Sequence, residues 1–277
     1  MNQTVPTLNP QYQQENLYEN IISNLKNQEV DLENLTWQQL AAVDEFHVRG
    51  LEATLEMAQE ASLRSGTTVL DVGCGIGGAA RLLAAQYDCV VTGIDLTPEY
   101  IRTAKLLSEK VGLTKNLDFI QADALEMPFP NNAFEVVWTQ HVQMNIEDKT
   151  AFYEAIARVL QNEGRFIYYD IFGDAEEILE FPLPWAEDAS RSFLITRSEL
   201  EQTLRACGLE EVVKKDLIEK GLQWFRQLLD RIQEKGIPPL SLQLVMGASF
   251  ITKLENTVKN IETGRIVLQS GIYQKVS

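Results

Sequence analysis

The sequence predicts an α/β fold, a mostly parallel sheet with helices on both faces. Two observations predict it. From Thr67 onward, short apolar runs alternate with helical segments, the pattern of strand-helix-strand units. The first run is followed by Gly73-Cys-Gly-Ile-Gly-Gly78, a turn in which glycines let a buried strand reverse sharply into a helix.

The elements follow in order. Residues 10–63 read as helices: a polar amphipathic stretch over 11–27, a helix capped by Thr36 that runs through Trp37, Leu40, Val43 and Phe46, and a third carrying Leu51, Leu55 and Ala58. Strands are predicted at 69–72, 90–94, 117–120, 134–138 and 165–170. Helices are predicted at 79–86, 98–111 and 149–160. Right-handed crossovers align the loops after the strands along one edge, where a ligand site is expected. Beyond Asp170, Phe181-Pro-Leu-Pro-Trp185 reads as extended or turning. Helices are predicted near 197–207, 219–235 and 240–261. Residues 266–273 read as a last strand with 210–216 beside it. The inserted helices, 218–263, are placed over the ligand edge as a lid. Residues 1–64 form a helical cap, and 65–217 with 264–277 the core.

Bulk properties bound the function. The 277 residues carry a formal net charge of −16 and are 45% hydrophobic. So acidic a surface repels phosphate backbones, and nucleic acid is not expected as a partner. No apolar run reaches the roughly 18 residues of a membrane span. The polar N-terminus has no basic region followed by an apolar stretch, so a cytoplasmic protein is expected. Cys74, Cys89 and Cys207 form no CxxC pair, and no metal ligand cluster is present. Cys74 reads as a small residue that fits the glycine turn.

The glycine turn alone fits a dinucleotide site as well as other nucleosides. Its neighbours narrow the choice. Asp71, two residues before Gly73, can hold the loop or the ammonium end of an amino-acid-like ligand, and a pyrophosphate would disfavour it. Asp95, closing the second strand in Gly93-Ile-Asp-Leu96, can accept from two vicinal ribose hydroxyls. Asp123 can accept from an adenine amino group or simply cap a helix. Ala124 and Leu125 can supply backbone contacts and an apolar wall. No Tyr-x-x-x-Lys pair of a nicotinamide-dependent reductase follows the fourth strand.

Val69-Leu-Asp-Val-Gly-Cys-Gly-Ile-Gly-Gly78, Gly93–Leu96, Phe119–Phe129, Phe134–Val142 and Arg158–Asp170, in this order, resemble the class I S-adenosylmethionine-dependent methyltransferases. One departure is Leu160-Gln-Asn-Glu-Gly164, where that family has a proline and two glycines. The resemblance implies a Rossmann-like seven-stranded sheet, S-adenosylmethionine as cofactor and S-adenosylhomocysteine as product. It places Gly73, Cys74 and Gly75 on the methionine and ribose portion, Asp95 on the ribose and Leu96 on the adenine. Asp123 and Ala124 fall on the adenine edge, and Gln140 beside the sulfonium. Asp44–Gly50, Trp138–Lys149 and Asn260–Ile266 resemble a small-molecule subgroup that includes sarcosine/dimethylglycine N-methyltransferases.

The methyl acceptor is therefore expected to be a small metabolite bearing a nitrogen, with oxygen or carbon as the alternative. His47 and His141, the two histidines, are candidates to take a proton or orient the acceptor. Each is equally readable as a satisfied structural histidine. Arg49 and Arg191, with Arg197 weaker, can meet an acceptor carboxylate. Tyr169 and Trp185 can present aromatic faces to a methylated ammonium. Asn145 is placed with the acceptor, and Trp138 in the core. Tyr18 and Trp37 are placed at the lid. A silent binding module is the rival of a different class, disfavoured by intact Asp71, Asp95 and Asp123. Oligomeric state is not legible.

Overall fold

In the computed structural model, which describes Tyr12, residues 15–174 and residues 177–276, the strands are β1 (Thr68–Val72), β2 (Val90–Asp95), β3 (Leu117–Gln121), β4 (Phe134–Gln140), β5 (Leu160–Gly173), β6 (Leu209–Asp216) and β7 (Ile266–Lys275). Among the described residues these seven form one sheet in the order β3-β2-β1-β4-β5-β7-β6. The first five are parallel, and β7 runs antiparallel between β5 and β6. Strands buried on both faces need apolar side chains on both. Accordingly Val69, Leu70, Val72, Val136, Val137 and Trp138 are all buried. The expected seven-stranded arrangement is therefore the observed one.

The helices are α1 (Leu17–Asn27), α2 (Trp37–Asp44), α3 (Gly50–Glu60), α4 (Gly78–Tyr87), α5 (Pro98–Lys110), α6 (Lys149–Val159), α7 (Arg197–Ala206), α8 (Ile218–Lys235), α9 (Gln243–Met246) and α10 (Phe250–Glu262). Thr36 caps α2 as expected, in a reciprocal pair with Gln39. The first helix begins at Leu17, not 11, and residues 11, 13 and 14 lie outside the described residues. The single helix expected over 240–261 is divided, because the chain passes Gly247 at φ 77. The helix expected to reach Leu160 stops at Val159. Residues 160–164 are instead drawn into β5, where the register jumps from Phe134↔Leu160 to Val136↔Arg165. The missing proline and glycines thus fall in a bulge that Glu163 turns at φ 62.

The N-terminal helices dock through one buried ion pair. Arg81 of α4 donates to Asp44 Oδ2 at 2.7 Å and to the Ile76 carbonyl at 2.7 Å. Both side chains are sealed from solvent. Gly78 is required here, because a Cβ would collide with the Asp44 backbone carbonyl. The end of α2 is thereby held over the glycine turn. No helix among the described residues is long and apolar enough to cross a membrane.

Removing one partner of a buried pair strands the other charge. Asp44→Ala is therefore expected to cost about 3–5 kcal/mol of folding stability, read from the urea unfolding midpoint. An unchanged midpoint would refute the clamp.

Candidate active site

The strand order reverses between β1 and β4, and a crevice opens at their carboxyl ends, as such a switch point requires. A cavity of about 250 Å³ lies there. Asp71, Gly73, Cys74, Gly75, Asp95, Leu96, Asp123, Ala124 and Gln140 line it, with His47, His141, Asn145, Trp185 and Arg191. One wall is acidic. Asp44, Glu45, Asp71, Asp95 and Asp123 all border the cavity, whereas Arg191 is the single lysine or arginine on it among the described residues.

The acidic wall is built by the glycine turn. Gly73 takes φ 71, and a Cβ there would lie 2.5 Å from Val142 Cγ2. Gly75 takes φ 54, and a Cβ there would meet nothing within 4 Å. The first glycine is thus a packing necessity, and the second leaves main chain open to a ligand. Asp95 Oδ2 accepts from Gly75 N at 3.0 Å, and Oδ1 accepts from Thr97 N at 2.8 Å. Burial raises its pKa against those two N–H groups. Asp71 has no such relief: its Oδ2 is buried without a partner. Burial, then Glu45 and Asp95, push its pKa up to about 8. A cation arriving beside Asp71 would supply the missing partner. Asp123 Oδ1 accepts from Leu125 N at 2.8 Å, which closes a turn; no helix begins there for it to cap. Leu125 itself does not line the cavity, since that bond folds the chain back.

The histidines differ. His47 Nε2 lies 2.8 Å from Glu45 Oε2, 3.1 Å from Thr54 Oγ1 and 3.1 Å from Gln140 Nε2. The Gln140 Oε1 accepts from Trp138 Nε1 at 2.8 Å. His47 and Gln140 therefore belong to one hydrogen-bonded network at the cavity wall, with Trp138 in the core behind it. His141 instead takes φ 54 at the strand end, and its Nε2 is buried without a partner. Burial, then His47, hold its pKa well below the usual histidine value, so it is a neutral imidazole.

Expectations for five residues at the acceptor end and the lid are corrected. Arg49 does not face the cavity: it donates to Glu52 at 2.7 Å and to both oxygens of Glu56 at 3.0 and 2.7 Å. Tyr169 is fully buried behind His141, ring centroids 4.9 Å apart, and does not border the cavity. Tyr18 and Trp37 do not border it either, because both pack within the helical cap. Tyr12, Phe46 and Tyr100 take that place, and Tyr12 OH donates to Asn145 Oδ1 at 3.1 Å. Arg197 is tied to Asp216 at 2.8 Å. Of the lid insertion, Val245 alone among the described residues borders the cavity.

The sequence reading also passed over Glu45. It sits beside the expected His47, is 3% exposed, and accepts from Thr54 Oγ1 at 2.6 Å. Its signal was its place in Asp44-Glu-Phe-His47, a stretch read only for its histidine. Among the described residues no group of three or more metal-ligating side chains is present.

Known proteins match this arrangement. Residues 70–168 match the family described as methyltransferase domain. Phosphoethanolamine N-methyltransferase 1 of Arabidopsis thaliana is 30% identical over 190 residues, 67% of this chain and 37% of that protein. Cycloartenol-C-24-methyltransferase of the same plant is 31% identical over 80% of this chain and 66% of its own length. The chain thus spans between about a third and two thirds of these relatives. A solved Galdieria sulphuraria structure, assigned as a sarcosine dimethylglycine methyltransferase, superposes with a TM-score of 0.67 at 20% identity, covering 82% of this chain and 85% of the other. At that identity the likeness is one of fold. Sequence match, strand order and crevice agree that the chain carries a class I, S-adenosylmethionine-dependent methyltransferase domain.

Proposed function

We propose that the protein methylates a small metabolite at a nitrogen, in an acceptor that also bears an anionic group. The observation that carries this reading is the division of charge in the cavity. Among the described residues five aspartate and glutamate side chains border it, including Asp71 with its unpartnered Oδ2, and Arg191 is the single arginine or lysine. Asp71 suits an ammonium and Asp95 a ribose diol, while Asp123 and Ala124 suit an adenine edge. These residues fit S-adenosylmethionine, which when bound supplies an electrophilic methyl carbon. Arg191 and Trp185 remain for the acceptor, the first for an anionic group and the second as an aromatic face.

The chain's own contribution is alignment and exclusion of water. The turn Val142–Ile146 and the segment Pro184–Phe193 wall the acceptor side with Met144, Ile146, Pro184 and Phe193. His141 Nε2, neutral and without a protein partner, is placed to accept a hydrogen bond from an acceptor N–H or O–H. A cation at that end supplies the partner that Asp71 Oδ2 lacks and draws off its proton, which favours a sulfonium over its neutral product. The apolar wall also supports a second reading, an acceptor with a larger apolar body methylated at oxygen or carbon.

Three outcomes are expected. S-adenosylhomocysteine raises the melting temperature and NAD does not. Asp95→Ala weakens S-adenosylhomocysteine binding about tenfold or more by calorimetry, since two acceptor oxygens are lost. No stabilisation by S-adenosylhomocysteine sinks the reading. With S-adenosylmethionine present, mass spectrometry finds turnover of a member of a panel of glycine, sarcosine, dimethylglycine, phosphorylated amines and phenols. His141→Ala then lowers kcat by about a hundredfold. A product methylated at oxygen or carbon selects the second reading.

Asp71 gives a pH test. Its folded pKa is raised from an ordinary 3.8 to about 8. The folded state therefore binds a proton that the unfolded chain releases, and the stability this confers is present in acid and lost as pH rises towards 8. Asp71→Asn removes the loss. The ligand-free variant is expected to gain on wild type between pH 4 and pH 8, by on the order of a few kcal/mol. A constant difference in unfolding free energy across that range would count against the assignment.

A further inference from the structure

The resemblance in Asn260-Ile-Glu-Thr-Gly-Arg-Ile266 is not accounted for by the cavity, which these residues do not line. Their place in the fold shows another role. Asn260 is fully buried near the end of α10. A buried amide is costly unless its polar atoms are satisfied. Its Oδ1 accepts from Glu180 N at 3.0 Å, and its Nδ2 donates to Glu180 O at 3.0 Å and to Asn256 O at 2.8 Å. The amide thus reads one residue's main chain in both directions, as a neighbouring strand would. One turn earlier, Asn256 Nδ2 donates to Pro182 O at 3.1 Å. Another turn back, the buried Lys253 pairs with Glu187 at 2.8 Å. The spacing 253, 256, 260 places all three on one face of the helix. Lys259 and Arg265 hold the Glu180 carboxylate at 2.9 and 3.5 Å.

Apart from the Met246 carbonyl, to which Lys253 Nζ also donates at 3.2 Å, what this face grips beyond its own helix lies between Glu180 and Glu187. That strap has little regular structure of its own. It reverses at Leu183–Ala186, where Leu183 N donates to Ala186 O at 2.7 Å. It carries Pro184 and Trp185 to the cavity and leads into Arg191 and Phe193. Trp185 Nε1 donates to Ser192 Oγ at 2.9 Å, which ties the two halves together.

We propose that Asn260 and Asn256 are positioning residues for acceptor recognition: from outside the cavity they fix the strap that places Trp185 and Arg191. The role rests on the reading of that end as the acceptor site. The inserted helices thereby act on the acceptor by holding the strap, with Val245 as their own described contribution to the wall. A side chain that reads backbone constrains path and leaves side-chain identity free. The strap's residues can then change, and acceptor choice with them, while the clamp stays the same.

The test uses the full chain with Asn260→Asp, which keeps the acceptor oxygen and loses both donors, and with the milder, half-buried Asn256→Ala. Hydrogen exchange over 180–193 is expected to quicken about fivefold or more in each. Exchange over the glycine turn, 69–80, stays unchanged, and the dissociation constant for S-adenosylhomocysteine stays within about twofold. For whichever panel amine is turned over, KM for the amine rises about tenfold while KM for S-adenosylmethionine holds. Strap exchange unchanged in both variants overturns the proposal. So does exchange that rises equally over 69–80, which marks general loosening. Failure of every panel amine removes the acceptor reading alone, because exchange still decides the clamp.

Discussion

The site depends on a buried ion pair whose carboxylate end borders the cavity. Asp44 and Arg81 join the end of α2 to the first turn of α4, and the Arg81 guanidinium also accounts for the Ile76 carbonyl. A buried charge tolerates few arrangements, since every displacement exposes an unpaired partner in a poorly solvating medium. The pair therefore fixes register. It sets the 44–47 segment above the glycine turn and brings Glu45 and His47 to the same cavity wall as Asp71. Thr54 and Gln140 then complete the network around His47. The helical cap is thus part of the binding site as well as a cover for it.

Two kinds of surface meet in the cavity. The carboxylate wall belongs to the sheet and the α2 end, where main-chain N–H groups hold Asp95 and Asp123 and side chains hold Asp44 and Glu45. The opposite wall belongs to the 142–146 turn and to the 180–193 strap. Its polar atoms are spent on holding chain to chain, and its cavity face is largely apolar. Such a division suits a polar nucleoside on one side and a variable partner on the other. Gly73 joins the two walls, because the Val142 methyls occupy the space a Cβ would need. The glycine turn and the 142–146 turn are thereby packed directly against each other.

How much of this was legible in the sequence depends on where the signal lay. The sheet was legible almost strand by strand, because doubly buried strands must be apolar and glycine must mark the sharp turn. Asp71, Asp95 and Asp123 were legible because position relative to a strand end fixes where a carboxylate goes. Arg49 was misplaced because nothing local distinguishes an arginine facing a ligand from one facing Glu52 and Glu56 of its own helix. Tyr169 was misplaced because an apolar strand pattern does not tell where along the strand the cavity begins, and its ring lies buried against His141. The Asn256 and Asn260 clamp joins segments some 80 residues apart, and periodicity carries no information about such pairs.

The strand order also constrains how the molecule is made. β7 lies between β5 and β6, yet it follows both in the chain. Until it forms, β5 and β6 each present an unpaired edge, and apolar residues of β5 have no neighbour on that side. Pairing of β6 therefore waits on a strand made after it, and β7 alone joins β6 to the rest of the sheet among the described residues. The two antiparallel ladders of β7 thus bind the outermost strand to the parallel half across the longest loop of chain in the sheet.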